Sequence, residues 1–421
     1  MPPERARPRQ AKSPGTAGEP AGPTARSQHG LDWLNFFVAD VQTAFGPFIA
    51  VQLSLHGWSQ GAIGSVLTIN AVVGILSQTP AGMLIDHSRA KRAVVAVCLA
   101  MTALGSLIFA FFPRYLPVAL AEVLHGGAGG AMQTALAAIG LGLVGHRLFH
   151  HRVGRNERFM TLGNAATAMA MGALGGLISP IAPFLVAAGL CVPGGLALLA
   201  IRSKDIDYRR ARGAERRKNP KAAPFRHLRR SQRLLVVALS LVLFQFADAS
   251  ILPLASERLA MHARGESELF IASLVAIPQL VTAMIAGWVS RHAESWGRKP
   301  LLLAGFAALS ARGVLFAMIA SPFLLAAAQV LGGATTAVVG IMTPLVVADI
   351  VQGTGRYNAS LGGVQMVSLI GAAVSTTVSG FAVERIGFVA TFFGLATVAL
   401  LGLAAVWLLL PETAQEALRE N

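Results

Sequence analysis

Long apolar runs separated by short polar segments occupy the chain from about residue 30 onward. A bilayer core of about 30 Å is crossed by about 20 apolar residues in a helix. On that rule the runs predict helices near 32–55, 59–83, 93–112, 116–145, 158–179 and 181–201. A second set falls near 233–256, 268–291, 300–320, 322–348, 358–382 and 387–410. The expected fold class is an all-α membrane protein with 12 transmembrane helices in two six-helix bundles. Some neighbours, such as the fifth and sixth spans, are joined so tightly (Ser179–Pro183) that turn chemistry and not hydropathy divides them.

The division that follows is a tail at 1–30, bundles at 31–201 and 233–411, a connector at 202–232 and a tail at 412–421. The first tail is rich in Pro, Gly, Ala and Arg and reads as disordered. The run from Trp33 to Leu55 is too long for a secretory core and lacks a small-residue cleavage site, so it reads as the first span.

Composition agrees with this class. Hydrophobic residues make up 54% and charged residues 13%, against about 25% charged in soluble domains. The net charge of +15 sits in short segments between apolar runs, without a nucleic-acid-binding signature, so nucleic acid is not an expected partner. The lipid bilayer is. Cys98 and Cys191 lie inside apolar runs and read as packing residues.

Basic residues set the orientation. Arg89, Lys91 and Arg92 follow span two, and Arg147, Arg152, Arg155 and Arg158 follow span four. Thirteen Lys or Arg lie from Arg202 to Arg233 inclusive, and Arg291, Arg298, Lys299 and Arg356 fall on the same side. That side, with both termini, is expected to be cytoplasmic in a bacterial inner membrane. The connector is expected to lie on the anionic leaflet or to be a solvated linker.

The two halves repeat each other. Phe36-Phe37-Val38-Ala39-Asp40 matches Phe244-Gln245-Phe246-Ala247-Asp248 at an offset of 208. Asp86…Lys91 matches Glu294…Lys299 at 208, and Glu122-Val-Leu-His125-Gly126 matches Gln329-Val-Leu-Gly332-Gly333 at 207. Parallel six-span repeats have this form.

With these residues in view, the chain over 30–412 resembles the major facilitator superfamily. The segment Gly82-Met-Leu-Ile-Asp86-His-Ser-Arg89-Ala-Lys91-Arg92 is similar to the family signature after span two, with Arg89 in place of its usual Gly. The second copy, Glu294-Ser-Trp-Gly297-Arg298-Lys299, keeps the Gly and uses Glu for Asp. The resemblance implies a conformational latch made by Asp86, Lys91 and Arg92, and by Glu294, Arg298 and Lys299, pairing across the half-interface. Weaker similarity to drug/proton antiporters lies in Glu122-x-x-His125-Gly126-x-Ala128-Gly129, where Glu122 replaces an Arg, and in Gly163, Gly172 and Gly176, where Leu177 replaces a Pro.

Ionisable groups inside spans cost roughly 2.5–3.5 kcal/mol on insertion scales and mark function. Asp40, Glu122, His125, Asp248 and Arg312 are the candidates. By resemblance, spans one, four, seven and ten line the cavity, and the first four of these residues fall there. Glu122 and His125 are three apart and share a helix face. Asp40 and Glu122 are the candidate proton-coupling or cation-binding carboxylates, with His125 tuning Glu122, and Asp248, Gln245 and Gln329 contributing from other walls. Burial disfavours a charged carboxyl and a nearby cation restores it, so such a group can exchange a proton for a cationic solute. Helix cross-linking is the competing role for each. Arg312 in span nine reads as a structural buried charge or an anion contact.

The repeat Gly154-Arg-Asn-Glu157…Gly163 and Gly353-Thr-Gly-Arg356-Tyr-Asn358…Gly362 suggests helix caps by Asn156, Glu157 and Asn358. His146, His150 and His151 lack a carboxylate or cysteine set and read as surface residues, so no metal and no cofactor are expected. No enzyme motif is found, since the Gly-rich stretches lie inside spans. The leading expectation is a monomeric, proton-coupled exporter of a small organic solute working by alternating access. An importer of a metabolite or siderophore is the same-class alternative, and a non-transporting receptor or lipid-handling protein the different-class one.

Overall fold

The computed structural model describes residues 24–39, 49, 52–53, 55–58, 60–88, 90–213, 231–262 and 267–412. Its α-helices are α1 (Ala25–Val38), α2 (Gln60–His87), α3 (Lys91–Phe111), α4 (Tyr115–Leu177), α5 (Ala182–Ala200), α6 (Gln232–Ala249), α7 (Ile251–His262), α8 (Ser267–Ser295), α9 (Arg298–Met318), α10 (Pro322–Ile350) and α11 (Tyr357–Leu409). Two 3-10 turns, Ser203–Asp205 and Arg210–Arg212, follow α5. No strand occurs among the described residues.

Eight stretches of these residues are long and apolar enough to cross a membrane. Two of them exceed one crossing, because α4 has 63 residues and α11 has 53. Drawn straight, α4 would run about 95 Å, three times the bilayer core. It folds back at Gly145, which has φ 70 and ψ 174, and α11 breaks at Gly387, with φ 82 and ψ 168. Both breaks use a positive φ that only a residue without Cβ adopts cheaply. The arms of α4 then pack on each other: Gln133 donates to Met160 Sδ at 3.1 Å, and Gly140 faces Arg152 and Asn156.

The first bundle, α1–α5, and the second, α6–α11, meet through α2 against α11 and through α8 against α4. One core cluster spans the second bundle and takes in Leu141, Phe149 and Val153 of α4; two more lie in the first bundle. Large apolar side chains point outward all round, among them Leu116, Leu177, Met284, Phe323 and Leu408. In water such a surface would aggregate; in hydrocarbon it is the surface a helical protein needs.

Three boundaries differ from the hydropathy reading. First, span five starts just after Gly145 and not at 158, so Arg147, His150, Arg152, Arg155 and Arg158 belong to a helix that continues past the apolar stretch. Asn156 and Glu157 are therefore mid-helix residues. Asn358 also lies inside its helix, because α11 starts at Tyr357. None of the three is a cap.

Second, α1 begins at Ala25, not after residue 30, because Thr24 caps it by accepting from Ser27 N. Asp205 accepts from Thr24 Oγ1 at 2.5 Å and Ser27 Oγ at 2.7 Å. Third, the start of the connector is docked on protein. Ile206 and Ala211 are buried, Asp207 N donates to the Gly142 carbonyl at 2.9 Å, and Gly353 N donates to the Gly213 carbonyl at 2.6 Å. Short apolar residues between the charges make that docking favourable, and charge density alone conceals them. The rest of the connector, 214–230, and the tails 1–23 and 413–421 lie outside the described residues.

A buried ionic cluster ties α1 to the second arm of α4. Asp32, fully buried, pairs with both Arg152 and Arg155. Arg152 Nε also donates to Asn156 Oδ1 at 2.7 Å, and Asn35 Nδ2 donates to the same oxygen at 3.2 Å. A charge this deep persists only when paired and hydrogen-bonded.

Candidate functional site in a polar cavity between the bundles

A cavity of about 690 Å³ lies between the halves. Its polar lining is Asn70, Gln78, Glu122, His125, Gln133, Gln245, Gln365 and Ser368, drawn from α2, α4, α6 and α11. A smaller chamber of about 230 Å³ continues toward the basic end and shares Gln133, Gln245, Gln365 and Ser368. Asn35, Asn156, Glu157 and Thr343 complete its polar lining. Four neutral polar residues thus form a waist, with a carboxylate on either side.

Glu122 is fully buried. Asn70 Nδ2 donates to its Oε2 at 2.9 Å, while Oε1 is buried with no hydrogen-bond partner. A buried carboxyl oxygen without a partner, on a residue that lines a cavity, is a place for a proton or a solute donor. His125 packs over Gly105, lies 3.4 Å from Ser106 Oγ through Nε2, and stacks tilted on Phe109 at 5.6 Å. The absence of a Cβ at Gly105 is what admits the ring, since one there would come within 2.7 Å of His125 Cδ2. The hydrogen bonds seen for Glu122 and His125 therefore go to α2 and α3, although both project from one face of α4.

The second bundle carries a related cluster, whose residues are not among those lining these two chambers. Arg312 on α9 pairs with Asp248 on α6 and lies over the Phe316 ring at 5.7 Å. Gln329 is fully buried beside them, with neither side-chain atom hydrogen-bonded. Of the sequence-predicted candidates, Glu122, His125 and Gln245 line the cavity, whereas Gln329 and Arg312 are buried in the other half and Asp248, half-buried, pairs with Arg312. Asp40 lies outside the described residues. Glu157 was read as a cap and is a buried wall residue instead, 8% exposed; a Cβ on Gly340 would sit 3.0 Å from its carboxylate. Its sequence signal was its place at an expected span boundary, which hydropathy discounts.

Below the chambers the halves are sealed at the basic end. Asp86 Oδ1 accepts from Asn358 Nδ2 at 2.8 Å and from Asn358 N at 3.3 Å, and Oδ2 accepts from Ala359 N at 2.9 Å. The cap of α11, Arg356, makes no side-chain capping bond of its own. Asp86 of the first half therefore caps a helix of the second, its charge set at the positive end of that helix. Of the basic residues expected to cross the seam, Lys91, Arg92 and Arg298 bond within their own half or to the connector. Lys91 Nζ donates to the Ile85 carbonyl at 2.6 Å, and Arg92 reaches Ser203 Oγ at 2.7 Å. Arg298 pairs with Asp349 at 3.1 Å, and Lys299 N bonds Glu412 at 3.0 Å. Glu294 does cross the seam and lies 2.8 Å from His150.

These contacts repeat at the offset of the sequence. Gly362 would place a Cβ 2.4 Å from the Gln78 carbonyl, and Gly154 would place one 3.1 Å from the Ala286 carbonyl. Both pairs are related by 208 residues, as are Asp86 with Glu294 and Asn358 with His150. The register that pairs Gly154 with Gly353 is therefore corrected: Gly154 corresponds to Gly362. Duplication is thus visible in the packing as well as in the sequence.

The Major Facilitator Superfamily model matches residues 32–294 and 237–421. The chain belongs to the major facilitator superfamily. Two relatives described as uncharacterized MFS-type transporters, from Mycobacterium tuberculosis strains CDC 1551 / Oshkosh and H37Rv, are each 36% identical over 398 residues, covering 94% of this chain and 95% of the relative. Among solved structures, the human organic anion transporter TETRAN superposes with a TM-score of 0.69 at 17% identity, covering 91% of this chain and 100% of that one. FucP in the outward conformation superposes with a TM-score of 0.70 at 14% identity, covering 93% of this chain and 98% of that one. This member of the superfamily is a multi-pass membrane protein of a family of secondary transporters of small solutes.

Proposed function

We propose that the chain is a proton-coupled exporter of small cationic or neutral organic solutes in a bacterial inner membrane, with the basic end and both termini cytoplasmic. The observation that carries this reading is the fully buried Glu122, a residue lining the 690 Å³ cavity, with one oxygen held by Asn70 and the other without a partner. Among the described lining residues of the two chambers, the ionisable groups are Glu122, His125 and Glu157; no Lys or Arg lines them. That lining favours a cation over an anion. With the basic end sealed, solute and proton exchange takes place from the other end, and breaking the Asp86 and Glu294 contacts opens the route to the cytoplasm. Competition between a proton and a solute cation for Glu122 couples the two fluxes.

The test is a thermal-shift screen of purified protein with cationic, neutral and anionic organic compounds at about pH 6 and about pH 8. Cations are expected to stabilise the protein, more strongly at the higher pH. Stabilisation by anions alone would overturn the proposed solute class.

A further inference from the structure

Two of the three histidines that lacked a carboxylate in the sequence, His150 and His151, acquire Glu294 in space. The second arm of α4 crosses α8 at Gly154 and Ser290, so closely that a Cβ on Gly154 would lie 2.3 Å from Ser290 Cβ. Ser290 Oγ fixes the crossing by donating to the His150 carbonyl at 2.7 Å. One helical turn from the crossing on each side stand His150 and Glu294, with Nε2 and Oε2 2.8 Å apart. His151 follows, its ring 4.0 Å from that of His150. The ligand atoms of His150, His151 and Glu294 all lie within 4.8 Å of one another.

His150 is 4% exposed, and its buried Nε2 has no hydrogen bond of acceptable direction despite the nearby carboxylate. The pseudo-symmetric position in the first copy behaves differently, because Asn358 there donates directly to Asp86. Two imidazoles and a carboxylate replace that hydrogen-bonded pair in the second copy. Two nitrogens and one oxygen suit Zn²⁺ and its neighbours among transition metals, not Mg²⁺ or Ca²⁺. His151 and Glu294 are exposed, which leaves the remaining coordination position to water. A neighbouring cation, Arg298, is already engaged by Asp349 at 3.1 Å and by the Ala293 carbonyl, and Asp349 also holds His146 at 3.0 Å.

We propose that His150, His151 and Glu294 form a Zn²⁺-class site that bridges the two halves at the basic end. Its ligands come from α4 and α8, so the site is complete only while that end is shut. An ion at 100 times its dissociation constant then favours the shut state about 100-fold. Metal binding needs nothing from the proposed function; the inhibition of turnover that follows from it does.

The test uses the full chain in detergent, carrying a non-histidine affinity tag. Co²⁺ is expected to bind one-to-one with a visible d–d spectrum, and Zn²⁺ is expected to displace it and raise the melting temperature. His151→Ala and Glu294→Ala alter exposed side chains and are expected to fold and to lose roughly tenfold or more in affinity. Unchanged Co²⁺ binding in both variants would overturn the site, since the ion would then be held by others of the chain's 10 histidines. In proteoliposomes, Zn²⁺ is expected to inhibit solute flux in the wild type and not in His151→Ala, whose side chain takes no part in the seam contacts described above. Spectroscopic binding without inhibition would overturn the locking role. Absence of any flux before Zn²⁺ is added would count against the proposed function while leaving the binding result standing.

Discussion

Replacing Asp86 by Ala removes the cap that the first half supplies to α11. The two oxygens of Asp86 accept from Asn358 N, Asn358 Nδ2 and Ala359 N, at 3.3, 2.8 and 2.9 Å. The two backbone donors belong to the first turn of α11, where a helix offers no acceptor of its own. Losing a cap costs about 0.5–2 kcal/mol, and hydrogen bonds to a charged group contribute about 1.5–3 kcal/mol. Partial replacement by water brings the net to about 2–4 kcal/mol against the sealed form. At tenfold per 1.4 kcal/mol, the balance between sealed and open basic ends moves about 30- to 700-fold toward open. The assay is a spin-label distance distribution between His87 at the end of α2 and Arg291 near the end of α8, both exposed. Cys98 and Cys191 are replaced by Ser beforehand. Asp86→Ala is expected to add or enlarge a long-distance population, and Asp86→Asn, which keeps an acceptor, to fall between. An unchanged distribution in Asp86→Ala at equal expression would refute the view that this carboxylate holds the seam.

Asp32→Ala leaves the buried Arg152 without its countercharge and is expected to cost about 3–5 kcal/mol, read as a lowered melting temperature in detergent. Adding Arg152→Met should return part of that loss, and no recovery would argue against a charge-based cause. Hydrogen bonds from Thr24 and Ser27 hold the Asp205 carboxyl below its ordinary value of 3.8. A depressed carboxyl contributes stability that is present above that value and is lost as pH falls through the folded-state pKa. Amide exchange at the start of α1, corrected for intrinsic rate, should therefore accelerate on acidification below about pH 4, and Asp205→Asn should abolish that response.

The apolar runs revealed most helices because a lipid-facing helix advertises itself in hydropathy, as α3, α9 and α10 do. The same signal truncates a helix that continues into polar surroundings, which is why the second arm of α4 and the start of α1 were cut short and Glu157 was read as a cap. Glu122, His125 and Gln245 were legible as cavity residues because polar groups in apolar helices are rare. Asp248 and Gln329 were expected on the other cavity walls, but which way they face depends on helix rotation, and that is set by packing partners such as Arg312. Asp86 was expected at the seam with basic partners, whereas the partner it has, a helix terminus, carries no side-chain signature. The His150, His151 and Glu294 cluster was invisible because its members come from helices far apart in the chain.

Glu122 carries the account, and proton flux through reconstituted protein tests it most directly. Vesicles with an internal pH dye and an imposed gradient would receive the most stabilising organic cation of the thermal-shift screen, with wild type and Glu122→Gln compared at equal incorporation. The account predicts solute-dependent dissipation of the gradient by the wild type and its loss in Glu122→Gln, with solute binding retained. Equal solute-driven proton movement in both proteins would contradict it.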